Sequence, residues 1–208
     1  MIPVRVLAVR YLANAAPPLC RALGAPEDYS SLAMLTTDCD DATYIALDAA
    51  TKAAQAQVCY ARSFYAGSAN ASTPNAGEVI GILAARTPGA ARSAMEAALS
   101  TLERVGFEDL SGVPCLAHTV SSVGSFLAAE ANVPVGSAIA YLIAPPLEAM
   151  YALDEAMKAA DVTLCKLYAP PSETNFGGAL LSGTQSACTA ACAAFLEKVK
   201  QVAQQPIS

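Results

Sequence analysis

Tryptophan is absent, histidine occurs once, and aromatic residues make up only 6% of the 208-residue chain. Charge is scarce as well: 14% of residues, against about 25% in an average soluble protein. The 12 basic residues are scattered among 18 acidic ones, for a net charge of −6. Sequence-independent nucleic-acid binding draws on a clustered basic patch, so no nucleic-acid partner is expected. A helical membrane span needs roughly 20 consecutive apolar residues. The longest apolar stretch, 135–153, is interrupted by Gly136, Pro145, Pro146 and Glu148, so no membrane partner is expected either. The start, Met1-Ile-Pro-Val-Arg, lacks the basic-then-apolar pattern of a secretory signal. The seven cysteines are odd in number and without CxxC spacing, which points to free thiols in a reducing cytoplasm. Phosphate loops, dinucleotide fingerprints and metalloprotease motifs are missing. No metal and no cofactor are expected.

What the chain does have is alanine, 46 residues of it, within a hydrophobic content of 54%. That excludes disorder, which needs few apolar residues and many charges. A chain of this length buries roughly 70% of its unfolded surface without a disulfide or metal. So many small apolar residues with so few charges suggest surface buried against other subunits.

The chain also repeats itself. Residues 46–59 read ALDAATKAAQAQVC and residues 152–165 read ALDEAMKAADVTLC, at an offset of 106 with 8 of 14 positions identical. Ala46, Leu47, Asp48, Ala50, Lys52, Ala53, Ala54 and Cys59 recur as Ala152, Leu153, Asp154, Ala156, Lys158, Ala159, Ala160 and Cys165. Alanine-rich helices match one another by chance, but chance does not supply the shared Leu-Asp, Lys and Cys. The offset is about half the chain, so two domains are expected, 1–110 and 111–208.

Each copy is expected to run in one order. A strand (31–36; 137–144) leads to a helix (42–54; 147–160) and a second strand (57–65; 162–168). A polar Gly/Pro-containing loop (66–77; 169–178) leads to a third strand (78–84; 179–182) and a closing Ala-rich helix (88–104; 184–204). A further strand and short helical piece precede each copy (4–11 and 18–23; 115–121 and 125–131). Strands and helices alternating at this spacing predict an α+β fold, each domain a sheet with helices on one face.

The run of strand, helix with D-x-A-x-K-A-A, strand, glycine-containing loop, strand and Ala-rich helix resembles the bacterial microcompartment shell domain, a ferredoxin-like sheet in outline. Both halves carry it, and the leading strand stands ahead of the motif, as in the circularly permuted form. DDATYIALDAATK, ARSFYAGSA, AGEV, LAHTVSS, AYLIAPPLEAMYALD and PPSETN are similar to the tandem-domain members of ethanolamine-utilization compartments. The resemblance implies a structural, non-enzymatic protein. It implies a homotrimer of two-domain subunits that imitates a hexamer and tiles with other shell proteins around an enzyme cargo. A gated central pore and small pores within each subunit are implied for metabolites such as ethanolamine. The localisation implied is a cytoplasmic microcompartment shell. A shell serving another aldehyde-handling pathway and a ferredoxin-like small-molecule sensor are the alternatives.

The same resemblance places Lys52 and Lys158 at the tile edge. It places Asp40, in the acidic run 38–41, and Glu78, of AGEV, in a small pore as contacts for the ethanolamine ammonium. Two acceptor-only carboxylates suit a group with three donors. Asp40 and Asp41 are also placed to cap a helix, with Asp41 the better suited to that role. Gly178 is expected at the second-copy position of Glu78, leaving one amine site per chain. Asn70 stands where the resemblance implies a histidine, so no metal site is expected in that loop. Cys115 and His118 are the residues an enzyme would use, but three residues apart on a strand they point to opposite faces. Cys188 and Cys192 share a helix face and are expected to be packed thiols. Cys39 is the cysteine expected to be exposed.

Overall fold

The computed structural model describes residues 1–64, 72–170 and 175–207. The loop segments 65–71, with Asn70, and 171–174 lie outside the described residues, so the expected pore-facing loops are described only at their margins.

The chain divides into two units. The first, Pro3–Val105 with Gly124–Leu127, contains β1 (Val6–Leu12), α1 (Pro17–Ala22), β2 (Ser31–Thr37), α2 (Asp40–Ala53), β3 (Ala56–Ser63), β4 (Val79–Ala85) and α3 (Pro88–Leu102). The second, Met1–Ile2 with Gly106–Val123 and Ala128–Ser208, contains β5 (Glu108–Leu110), β6 (Val113–Val120), β7 (Ala138–Ala144), α5 (Pro146–Ala159), β8 (Val162–Tyr168), β9 (Gly177–Gly183) and α6 (Gln185–Gln204). The head of α4 (Ser125–Ala131) counts with the first unit and its tail with the second.

The sheets are antiparallel, ordered β1-β2-β4-β3 and β5-β6-β7-β9-β8. Among the described elements only the short β5 was not legible in the sequence pattern. The repeat extends to fine detail. Gln57–Ala84 and Thr163–Ser182 hold matching register places, and each edge strand slips its register at Cys59 or Cys165. The cysteine shared by the two copies is therefore a bulge residue. The turn after each short helix also recurs, with left-handed backbone at Gly24 (φ 75°) and Asn132 (φ 52°).

Helices α2 and α3 pack on each other and on β2 and β4; α5 and α6 do the same on β6, β7 and β9. Their inward faces are small. Ala42, Ala46 and Ala50 of α2, and Ala91, Ala94 and Ala98 of α3, are buried at helical spacing. In the second unit Ala149, Ala152 and Ala156 meet Cys188, Ala191, Cys192 and Phe195. Much of the alanine is thus used inside each unit, where it lets helices approach closely, and composition alone does not require partner subunits. Thr87 and Thr184 cap α3 and α6, accepting from Ala90 N–H at 3.2 Å and Ala187 N–H at 3.1 Å.

Candidate functional site

One end of the first sheet gathers the acidic residues. β2 ends at Thr37, α2 begins at Asp40, β3 ends at Ser63 and β4 begins just after Glu78. The Glu78 backbone ties these ends together: its N–H donates to the Thr37 carbonyl at 2.7 Å, and its carbonyl accepts from Phe64 N–H at 2.7 Å. The preceding Gly77 has φ +64°, and a Cβ there would lie 2.1 Å from the Thr37 carbonyl oxygen. Only glycine fits.

Asp40 is 7% exposed. One carboxylate oxygen accepts from Asp41 N–H at 2.8 Å and the other from the Ser63 hydroxyl at 2.6 Å. Ser63 Oγ lies 2.6 Å from the Tyr44 hydroxyl, so a chain Tyr44→Ser63→Asp40 keeps every donor used. Ser63 and Tyr44 were not foreseen; no motif marks them, and the fold alone brings β3 to α2. Burial pushes the Asp40 carboxyl above its ordinary range, against the opposing bonds from Ser63 and Asp41. Glu78 is pushed up to about 7, by burial first and then by the charges of Asp40 and Asp38. Asp38 is already matched: Arg5 donates to it from Nε at 2.7 Å and from the backbone N–H at 2.8 Å. The site therefore holds two partly desolvated carboxyls, Asp40 and Glu78, that gain from an added cation.

Two expectations change here. The cap position of α2 is Cys39, which makes no side-chain cap bond; Asp40 and Asp41 are first-turn residues, and both are buried. Their charge still favours the helix dipole. Cys39 is not the exposed thiol: it is half-buried, and burial followed by the Asp41 charge keeps it protonated. Such a thiol is a poor nucleophile.

Among the described residues, the second copy does not repeat the acid cluster. Thr37 pairs with Val79 and Ala144 with Gly177, so the residue matching Glu78 is Phe176, not Gly178. Phe176 packs edge-on against Phe107 at 5.6 Å. Pro146 opens α5 as Asp40 opens α2, and Met150 matches Tyr44. Apolar residues replace the hydrogen-bonded acid cluster.

Lys52 and Lys158 occupy the same place on α2 and α5 but differ in partner. Lys52 Nζ lies 3.4 Å from Asp48, whose side chain is fully buried; Lys158 Nζ lies 2.5 Å from Asp154, and both are exposed. Cys115 is buried and its thiol is pushed up to about 12, chiefly by burial, which argues against a Cys115–His118 nucleophile pair. Cys188 and Cys192 are core residues. Among the described residues no three His, Cys, Asp or Glu side chains are grouped to hold a metal, and no helix is long and apolar enough to cross a membrane.

No family model matches the chain. It is 53% identical to the bacterial microcompartment shell protein EutL of Clostridium perfringens, over 100% of this chain and 97% of that one. It is 43% identical to EutL of Salmonella typhimurium, over 100% and 96%. The crystal structure of C. perfringens EutL superposes with a TM-score of 0.97 at 52% identity, covering 100% of this chain and 96% of that one. Two permuted α+β domains in tandem, with this similarity, define a shell protein of bacterial microcompartments, structural rather than enzymatic. Within that class, the chain belongs to the EutL family.

Proposed function

We propose that the chain, as two shell domains (1–110 and 111–208), forms a homotrimeric, pseudo-hexameric tile whose Asp40 and Glu78 hold the ammonium of a small amine such as ethanolamine. The observation that carries the amine assignment is the acid cluster itself. A Glu78 carboxyl raised to about 7 beside buried Asp40 marks a place short of positive charge. An alkylammonium keeps its charge across neutral pH and supplies three donors. A solved relative from Leptotrichia buccalis is described as an ethanolamine utilization protein.

This predicts a pH dependence. A cation requires Glu78 ionised, and with a value of about 7 only about a tenth is ionised at pH 6. Ethanolamine should bind about tenfold more weakly at pH 6 than at pH 8 by calorimetry, one per chain. Glu78→Gln should bind weakly at both. A second equivalent site per chain, or binding indifferent to pH, would count against the assignment. The same group acts on stability. The folded chain holds this proton up to about 7 and the unfolded chain releases it near 4.5, so the contribution favours folding at low pH and is lost as pH rises from 4.5 to 7.

Lys52 and Lys158 are assigned to contacts between tiles. Lys52→Ala with Lys158→Ala should leave the oligomer mass unchanged while hexagonal sheets fail to form in electron micrographs. Alanine is the right probe, since an acidic residue at 52 would stand against buried Asp48. Sheets of normal extent in the double variant would reject the edge assignment.

A further inference from the structure

The chain of hydroxyls that reaches Asp40 has a fixed direction. An ionised carboxylate only accepts. The Ser63 hydroxyl, 2.6 Å away, therefore gives its one proton to Asp40. The 2.6 Å contact between Ser63 Oγ and the Tyr44 hydroxyl then requires Tyr44 to donate. Both ends of the chain are held. Asp41 N–H donates to the other Asp40 oxygen at 2.8 Å, and the Tyr44 ring lies 5.9 Å from that of Phe126, tilted by 47°. Ser63 ends β3 and Asp41 sits in the first turn of α2, so the carboxylate cannot turn without breaking a bond to the sheet or one to its own helix. A carboxylate offers about four acceptor positions, so one relay bond leaves the same oxygen open to an ammonium.

The chain is also lost as a set. Pro146 and Met150 hold the places of Asp40 and Tyr44 on α5. Arg62 pairs with Ile80 as Tyr168 pairs with Gly178, which puts Ala169 at the place of Ser63. Hydroxyls that served only to join strand to helix would be as useful in the second copy, whose strand and helix meet in the same way. They are missing where the carboxylate is missing, which ties them to Asp40 rather than to the fold.

Resting on the amine reading above, we propose that Ser63 and Tyr44 are positioning residues of the amine site: their two hydroxyls form a one-way relay that holds Asp40 in place as an acceptor for the ammonium. Neither needs to touch the amine. Ser63 acts on Asp40 directly, and Tyr44 acts through Ser63, since a donor behind Ser63 strengthens the bond that Ser63 makes. Desolvation works against the charge on Asp40, and the bond from Ser63 works for it. The other titratable groups around Asp40 are Asp41 and Cys39 at the head of α2, Asp38 with its partner Arg5, and Glu78. None of them changes when a hydroxyl is removed.

Calorimetry of the full chain with ethanolamine between pH 6 and pH 8.5, on Ser63→Ala, Tyr44→Phe and Ser63→Thr, tests this. Removing a hydrogen bond to a charged group should raise the protonation midpoint of Asp40 by about one pH unit in Ser63→Ala, read by NMR of its carboxyl carbon. Ethanolamine binding should then be weakened on the order of tenfold at pH 6, and the loss should close as pH rises and Asp40 ionises again. Tyr44→Phe keeps the ring against Phe126 and should show the same trend at about threefold. Ser63→Thr restores the hydroxyl and should bind within about twofold of wild type. A merely structural role would weaken binding by one factor at every pH. That result, or variants that match wild type throughout, overturns the relay and leaves the amine site standing. A wild-type chain that takes up no ethanolamine overturns the amine reading, and this proposal with it.

Discussion

Replacing Asp48 by alanine should cost the folded chain roughly 3–5 kcal/mol, read as a fall in the urea midpoint at matched chain concentration. The side chain is fully buried and its two oxygens accept from the Gly124 and Leu127 N–H groups. Alanine leaves both donors without an acceptor in a site too closed for easy hydration, at about 1–3 kcal/mol each. Closure is tight enough that a Cβ on Gly124 would fall 2.2 Å from Thr51 Oγ1. Lys52, partly exposed, turns to water and adds little. For a chain of this size the loss corresponds to a drop in Tm of about 10 °C. Asp48→Asn keeps one acceptor oxygen and should fall between. Amide exchange should quicken first at Gly124 and Leu127, because the head of α4 loses its anchor before the sheet does. A midpoint within 1 kcal/mol of wild type would mean that Asp48 is not the anchor of that segment. That threshold is about the size of one ordinary hydrogen bond.

Much of the fold was legible because the repeat is carried by residues with definite jobs. Leu47 and Leu153 enter the cores, and Cys59 and Cys165 take the bulge of each edge strand. The element order followed from that repeat. The asymmetry between the copies was not legible. Asp48 and Asp154 stand in the same local sequence, and what separates them is a segment some 75 residues further on, Gly124–Leu127, which covers Asp48 while Asp154 stays exposed. Local pattern cannot encode such a partner. The acid site was half legible. Asp40 and Glu78 could be named through the resemblance to shell domains, but the bond of Ser63 to Asp40, that of Tyr44 to Ser63 and that of Arg5 to neighbouring Asp38 arise only from the tertiary fold. The match of Glu78 to Gly178 failed for a related reason. The second copy's loop differs in length, and only the ladder between β7 and β9 shows that Phe176 holds the position. The alanine content misled in a different way, since small residues serve helix packing inside a unit as well as contacts between subunits.

Gly77→Ala should abolish amine binding although both carboxyls remain, and should destabilise the chain by roughly 3–5 kcal/mol. Three costs fall on one residue. At φ +64° alanine is strained by about 1–3 kcal/mol. Its Cβ would stand 2.1 Å from the Thr37 carbonyl oxygen and 2.7 Å from Leu7 Cδ1, and the first of these is backbone that cannot swing aside. Overpacking of that kind costs about 1–3 kcal/mol. Moving the carbonyl away lengthens its 2.7 Å bond from Glu78 N–H, the contact that sets where the Glu78 side chain begins. Once the strand end opens, water reaches Glu78 and its carboxyl should relax from about 7 toward 4.5, visible by NMR titration of the side chain. Gly89→Ala is the matched control: nothing lies within 4 Å of a Cβ there, the residue is inside α3, and the change should be neutral or slightly stabilising. If Gly77→Ala kept both its urea midpoint and a Glu78 titration near 7, the raised value could not depend on the closure of this turn. The acid site would then owe its character to Asp40 and Asp38 alone.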